Sequence, residues 1–78
     1  MDEIELLDVV ALLEPLPEHG LVRGNRGTVV EVYRDGYFEV EFSDTNGQMF
    51  AMLPLHKNQL LKMVEVPLVE YDEAFEAR

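Results

Sequence analysis

Gly27-Thr28-Val29-Val30-Glu31-Val32-Tyr33 and Tyr37-Phe38-Glu39-Val40-Glu41-Phe42, joined by Arg34-Asp35-Gly36, decide the fold. The first segment is rich in β-branched residues and the second alternates apolar and polar with period two, so both read as half-buried strands. Register then tests the turn. A two-residue Asp35-Gly36 loop opposes Val32 to Glu39 and mixes the faces, because directly opposed residues point the same way. A three-residue loop pairs Val32 with Phe38 and Val30 with Val40 and keeps one face apolar. It also puts Gly36 at the third loop position, where a type I turn with a bulge needs positive φ. Tyr33 and Tyr37 then oppose each other on the outer surface.

Working outward, Asp8-Val9-Val10-Ala11-Leu12-Leu13 is a short apolar strand, closed by Glu14-Pro15-Leu16-Pro17. Two prolines there remove backbone donors and turn the preceding residues away from helix. Residues 14–25, with Pro15, Pro17, Gly20 and Gly24, form a long irregular excursion of the kind that often binds. On the other side, Ser43-Asp44-Thr45-Asn46-Gly47 is a turn and Gln48-Met49-Phe50-Ala51-Met52-Leu53 a fourth strand. An even loop would bury Met49, Ala51 and Leu53; an odd one would bury Phe50 and Met52. Pro54 is expected to end that strand. Leu55-His56-Lys57-Asn58-Gln59-Leu60 is one helical or 3₁₀ turn, and Leu61-Lys62-Met63-Val64 a last strand. Five strands with one helical turn before the last make a mainly β chain laid out as a small SH3-like barrel, here residues 1–64; closure would remove most exposed edges.

Residues 65–78 form an acidic C-terminal tail. Leu68, Tyr71, Asp72 and Phe75 fall at i, i+3, i+4 and i+7, so a helix would carry Leu68, Tyr71 and Phe75 on one amphipathic face. The eleven residues 68–78 are marginal as an isolated helix, so this segment is expected to dock on its own barrel or a twin, to fold on a partner, or to stay disordered.

Seventy-eight residues suit one small domain, and 47% hydrophobic content suffices for a thin core. Sixteen acids against six bases give a net charge of -10. Six acids and no base fall in residues 1–18, residues 19–64 hold five of each sign, and the tail adds the remainder. This distribution repels phosphate backbones and anionic lipid, so neither nucleic acid nor membrane is expected as a partner. Acidic ends around a neutral centre either steer a basic partner or keep copies apart in solution. No cysteine is present, which excludes a disulfide-stapled framework. The N-terminus carries acids where a signal peptide carries Lys or Arg, so the expected location is cytoplasmic.

Catalytic signals are sparse. Ser43 and the histidines His19 and His56 show no triad or metal-ligand spacing, and Asp44-Thr45-Asn46-Gly47 departs from a calcium loop. No metal, cofactor or enzymatic activity is expected. Gly24-Asn25-Arg26-Gly27 opens a strand and lacks the Lys and Ser/Thr of a phosphate-cradling loop. Arg23-Gly24-Asn25-Arg26-Gly27-Thr28-Val29-Val30 loosely resembles the loop of KOW modules, yet its few cations sit within a strongly acidic chain. The candidate partner-binding residues are Arg23 and Arg26 in the loop, Tyr33 and Tyr37 on the hairpin, and Tyr71 and Phe75 in the tail.

The segments Asp8-Val9-Val10-Ala11-Leu12, Leu16-Pro17-Glu18-His19-Gly20-Leu21, Arg23-Gly24, Gly27-Thr28-Val29-Val30-Glu31-Val32 and Phe38-Glu39-Val40-Glu41-Phe42, with Gly47 and Leu60-Leu61, resemble the small DUF4926 family over about residues 4–62. The resemblance implies bacterial or cyanobacterial origin and an SH3-like barrel, and suggests antitoxin or immunity roles beside a larger protein. It assigns no residue roles. The expected function is a non-enzymatic protein-binding module, antitoxin-like or immunity-like, that neutralises a basic partner protein. The alternative is a structural accessory subunit or self-associating homodimer.

Overall fold

The computed structural model describes residues 3–64. Five antiparallel strands form one sheet: β1 (Val9–Leu12), β2 (Arg26–Val32), β3 (Tyr37–Ser43), β4 (Met49–His56) and β5 (Leu60–Lys62). Their order across the sheet is β4-β3-β2-β1-β5. Lone 3₁₀ turns at Pro17–His19 and Lys57–Gln59 are the helical elements among the described residues. The chain is mainly β, with a single turn before the last strand as its sequence indicates. Among those residues no backbone pairing joins β4 to β5, so these strands are the two edges of the ladder, while Leu53 and Leu55 of β4 and Leu60 of β5 share one core. The tail face of Leu68, Tyr71 and Phe75 lies outside the described residues.

The alternation in β3 sets the core. Phe38, Val40 and Phe42 point inward and meet Val10, Leu12, Val29, Leu53, Leu55 and Leu60, with Leu21 supplied by the loop. Tyr33 N–H donates to Tyr37 O at 2.9 Å, and Val32 opposes Phe38, as the three-residue loop requires. The turn within that loop is different from the expected type I turn. Tyr37 N–H closes on Arg34 O at 3.2 Å, across Asp35 at φ 61° and Gly36 at φ 81°. Both central residues are left-handed, matching the primed turn whose twist suits a hairpin.

Val30 does not pair with Val40. A bulge places Val29 opposite Val40, because β2 carries one extra residue at Val30. A second bulge decides β4. Ser43 opposes Met49, but Phe42 opposes Ala51, which leaves Phe50 out of register. The five-residue loop 44–48 is odd, yet Ala51 packs on the core and Leu53 is buried because the extra residue flips the parity. Met49, Phe50 and Met52 are all exposed. Pro54 does not end the strand. It pairs with Glu39, and because among the described residues β4 has a neighbour on one side only, the missing N–H can face away from the ladder.

Asp8 fastens the N-terminal segment to the far edge. Its Oδ2 accepts the Glu5 N–H at 2.7 Å and lies 3.1 Å from Lys62 Nζ, which also donates to Glu3 O at 2.9 Å. The Glu5 N–H bond holds the Asp8 carboxyl below its ordinary value; desolvation opposes it, and the hydrogen bond and charge of Lys62 add to the lowering. A depressed folded value means that the stabilisation is complete above the unfolded value of about 3.9 and is lost as pH falls through the folded one. Asp8→Asn is therefore expected to flatten the acid limb of stability below about pH 4. Urea unfolding at neutral and acid pH checks this; parallel pH profiles for variant and parent would contradict it.

Candidate functional site

The outer face of β2, β3 and β4 carries the residues with binding chemistry. Because successive strand residues alternate faces, Tyr37, Glu39 and Glu41 point away from the core formed by Phe38, Val40 and Phe42. Register then assembles two rows across the strands. Glu31, Glu39 and Pro54 lie side by side, followed by Thr28, Glu41 and Met52. At the hairpin end, Tyr37 opposes His56.

The rings are fixed by different neighbours. Tyr33 O–H donates to Glu39 Oε1 at 3.0 Å. The Tyr37 ring meets the His56 imidazole edge-on, with centroids 4.9 Å apart at 72°. His56 is itself anchored, accepting the Asn58 N–H on Nδ1 at 3.2 Å while its own N–H donates to Gln59 Oε1 at 2.8 Å. Tyr33 and Tyr37 remain 45% and 46% exposed, so each ring is held in place with nearly half its surface open.

Glu31 directly opposite Glu39 is a like-charge pair, an arrangement that disfavours the sheet. The Tyr33 hydroxyl relieves part of it. In return, the hydrogen bond to Glu39, with desolvation and the charges of Glu39 and Glu31, holds the Tyr33 phenol above its ordinary value. Its contribution to stability is present below the unfolded value of about 10 and is lost as pH rises through the folded one. Glu39→Gln is expected to bring the Tyr33 transition down in a phenolate absorbance titration. An unchanged curve would show that the bond does not persist in solution.

Carboxylates beside fixed aromatic rings suit Lys or Arg side chains, which can pair with the acids and lie over the ring faces. Arg23 and Arg26 do not join this face. Arg23 lies in a turn closed by Asn25 N–H on Val22 O at 3.1 Å and by Val22 N–H on Asn25 Oδ1 at 2.9 Å. Gly24 at φ 92° permits that turn, and Gly24 N–H pins it to Leu12 O at 2.8 Å. Arg26 opens β2 opposite Ala11, while Tyr33 follows its other end, roughly 20 Å away along the strand. Both arginines are exposed and make no ion pair among the described residues. Tyr71 and Phe75 lie outside the described residues. Ser43 and His56 sit at opposite ends of the β3–β4 ladder and do not meet.

Glu31, Glu39, Glu41, His56 and Pro54 were missing from the sequence-derived candidates. The period-two pattern of β3 signals the outward glutamates, but their meeting with Tyr33 and His56 depends on register across three strands. The Leu16-Pro17-Glu18-His19-Gly20-Leu21 segment has an architectural task. Leu16 and Leu21 exchange N–H to O bonds of 2.9 and 3.1 Å around the 3₁₀ turn, Gly20 takes φ 70°, and Leu21 plugs the core.

The family described as a domain of unknown function, DUF4926, matches residues 6–62. The chain belongs to the DUF4926 family. The DUF4926 match ends at Lys62, the last residue of β5, and spans every strand of the sheet together with the Leu16–Leu21 bridge. No curated protein and no solved structure matches the chain. No helix among the described residues is long and apolar enough to cross a membrane.

Proposed function

We propose that this chain is a non-enzymatic protein-binding module whose outer β2–β3–β4 face holds a cationic segment of a partner protein. The supporting observation is the pair of half-exposed rings, Tyr33 and Tyr37, braced by Glu39 and His56 beside the Glu31 and Glu41 carboxylates. Rigid aromatic anchors with a polar surround are what hot-spot statistics favour in interfaces. The net charge of -10 accelerates encounter with a basic surface, and the rings slow release. The arginine turn lies at the opposite end of β2, so its positive charge stands apart from this face. In this reading the chain is a bacterial cytoplasmic neutraliser, antitoxin-like or immunity-like, of a larger basic protein.

The test begins with co-purification from the native host at low salt and identification of the bound chain. Calorimetric titration of that purified partner follows. The expected result is 1:1 binding that weakens with salt, and falls roughly tenfold or more with Tyr37→Ala or Glu39→Arg. A partner that binds both variants as tightly as the parent would overturn the reading. The alternative, a self-associating subunit, is favoured by a separate observation at the β4 edge.

A further inference from the structure

Among the described residues β4 pairs with β3 alone and forms one edge of the sheet. Exposed edges offer unpaired backbone groups to other chains, and proteins commonly blunt them with charge, proline, bulges or shortness. The opposite edge follows this pattern, since β5 has three residues and carries Lys62. The C-terminal half of β4 does so as well. Pro54 has no N–H to offer, and the His56 N–H is taken by Gln59 Oε1.

The N-terminal half carries one such device, the bulge at Phe50, but no charge and no proline. Met49, Phe50 and Met52 are 51%, 49% and 49% exposed, and the bulge at Phe50 leaves that ring out of the ladder. By antiparallel alternation, Met52 turns its N–H and C=O away from β3, toward the same side as the main-chain groups of Pro54 and His56. Thr45 to His56 is also the longest run of the chain without Asp, Glu, Lys or Arg. Asp44 bounds it on one side and Lys57 on the other.

Charge selects the occupant. Two copies at -10 each repel one another, so contact is least opposed along this neutral run. The midpoint between Asp44 and Lys57 falls between Phe50 and Ala51, inside the exposed apolar stretch. An antiparallel two-fold contact centred there sets the Asp44 end of each copy beside the Lys57 end of the other, and both flanks become attractive. A parallel contact would juxtapose like charges at both ends. The two-fold arrangement also closes, so it forms a dimer rather than a fibre. Thioether and phenyl groups then pack across the axis, where sulfur–aromatic contacts are favourable.

We propose that the Met49–Met52 edge of β4 is a dimerisation surface for a second copy of this chain, antiparallel about a two-fold axis. It does not depend on the tyrosine–carboxylate face. Sedimentation equilibrium of the full chain across a range of concentration and salt tests it. The expected result is a monomer–dimer equilibrium that tightens with added salt, as the repulsion between the two acidic copies is screened. Phe50→Asp should raise the dimer dissociation constant roughly tenfold or more, while the melting temperature at concentrations where the parent is monomeric stays within a few degrees of the parent's, because half of the ring is exposed. Lys57→Glu should weaken the dimer, and Lys57→Arg should not. A chain monomeric throughout, a dimer indifferent to Phe50→Asp and Lys57→Glu, or one lost only on removal of residues 65–78 would each overturn the proposal.

Discussion

Replacing Gly27 with valine is expected to leave little folded protein at room temperature. A Cβ at this buried position would lie 2.6 Å from Val40 Cγ1, 2.9 Å from the Glu41 carbonyl oxygen and 3.0 Å from Phe42 Cδ1. None of the three yields readily: Val40 and Phe42 are core side chains, and Glu41 O is main chain. The glycine therefore serves close approach rather than unusual backbone geometry. Overpacking of this kind costs roughly 1–3 kcal/mol for alanine, and a branched side chain adds to it. Domains of this size hold a total stability of only about 3–5 kcal/mol. Urea unfolding followed by circular dichroism checks the series. Gly27→Ala within about 0.5 kcal/mol of the parent would mean that β2 and β3 are less closely apposed.

Phe42→Ala is expected to have an effect of similar or greater size from the opposite cause. Phe42 is among the largest fully buried side chains and lies across from Gly27 in the ladder. Removing a buried phenyl ring costs about 3–5 kcal/mol, made up of lost burial and the cavity left behind. That is comparable to the whole stability, so the variant should be largely unfolded without a stabilising cosolvent. The two sites share one volume and cannot be additive. In a Phe42→Leu background, Gly27→Ala should be less damaging than in the parent, because a smaller side chain makes room for the new methyl group. A zero coupling in that double-mutant cycle would contradict the direct contact of ring and glycine.

Local pattern made part of this fold legible. The alternation Tyr37-Phe38-Glu39-Val40-Glu41-Phe42 told which side of β3 is buried, and the pairing of Val32 with Phe38 followed from keeping faces alike. That register already implies Glu31 opposite Glu39, the core of the candidate site. What sequence did not reveal were the bulges at Val30 and Phe50, since one extra residue carries no compositional mark and shifts every later position. Pro54 misleads for a related reason. A proline is tolerated inside a strand when that strand is an edge, and edge position is a property of the whole sheet. Separation of the arginine turn from the tyrosine pair likewise follows from their places at opposite ends of β2. Composition could not distinguish one binding face from two.

Shared exposure and charge make the Tyr33–Glu39–Tyr37–His56 face the centre of the functional account. The most direct test is a nitrogen–proton correlation map of the labelled chain, recorded during titration with the partner that co-purifies from its host. Shifts are expected to concentrate at Glu31, Tyr33, Tyr37, Glu39, Glu41 and His56. Shifts confined to the Val22–Arg26 turn or to residues 65–78, with the β2–β3–β4 face unmoved, would contradict it.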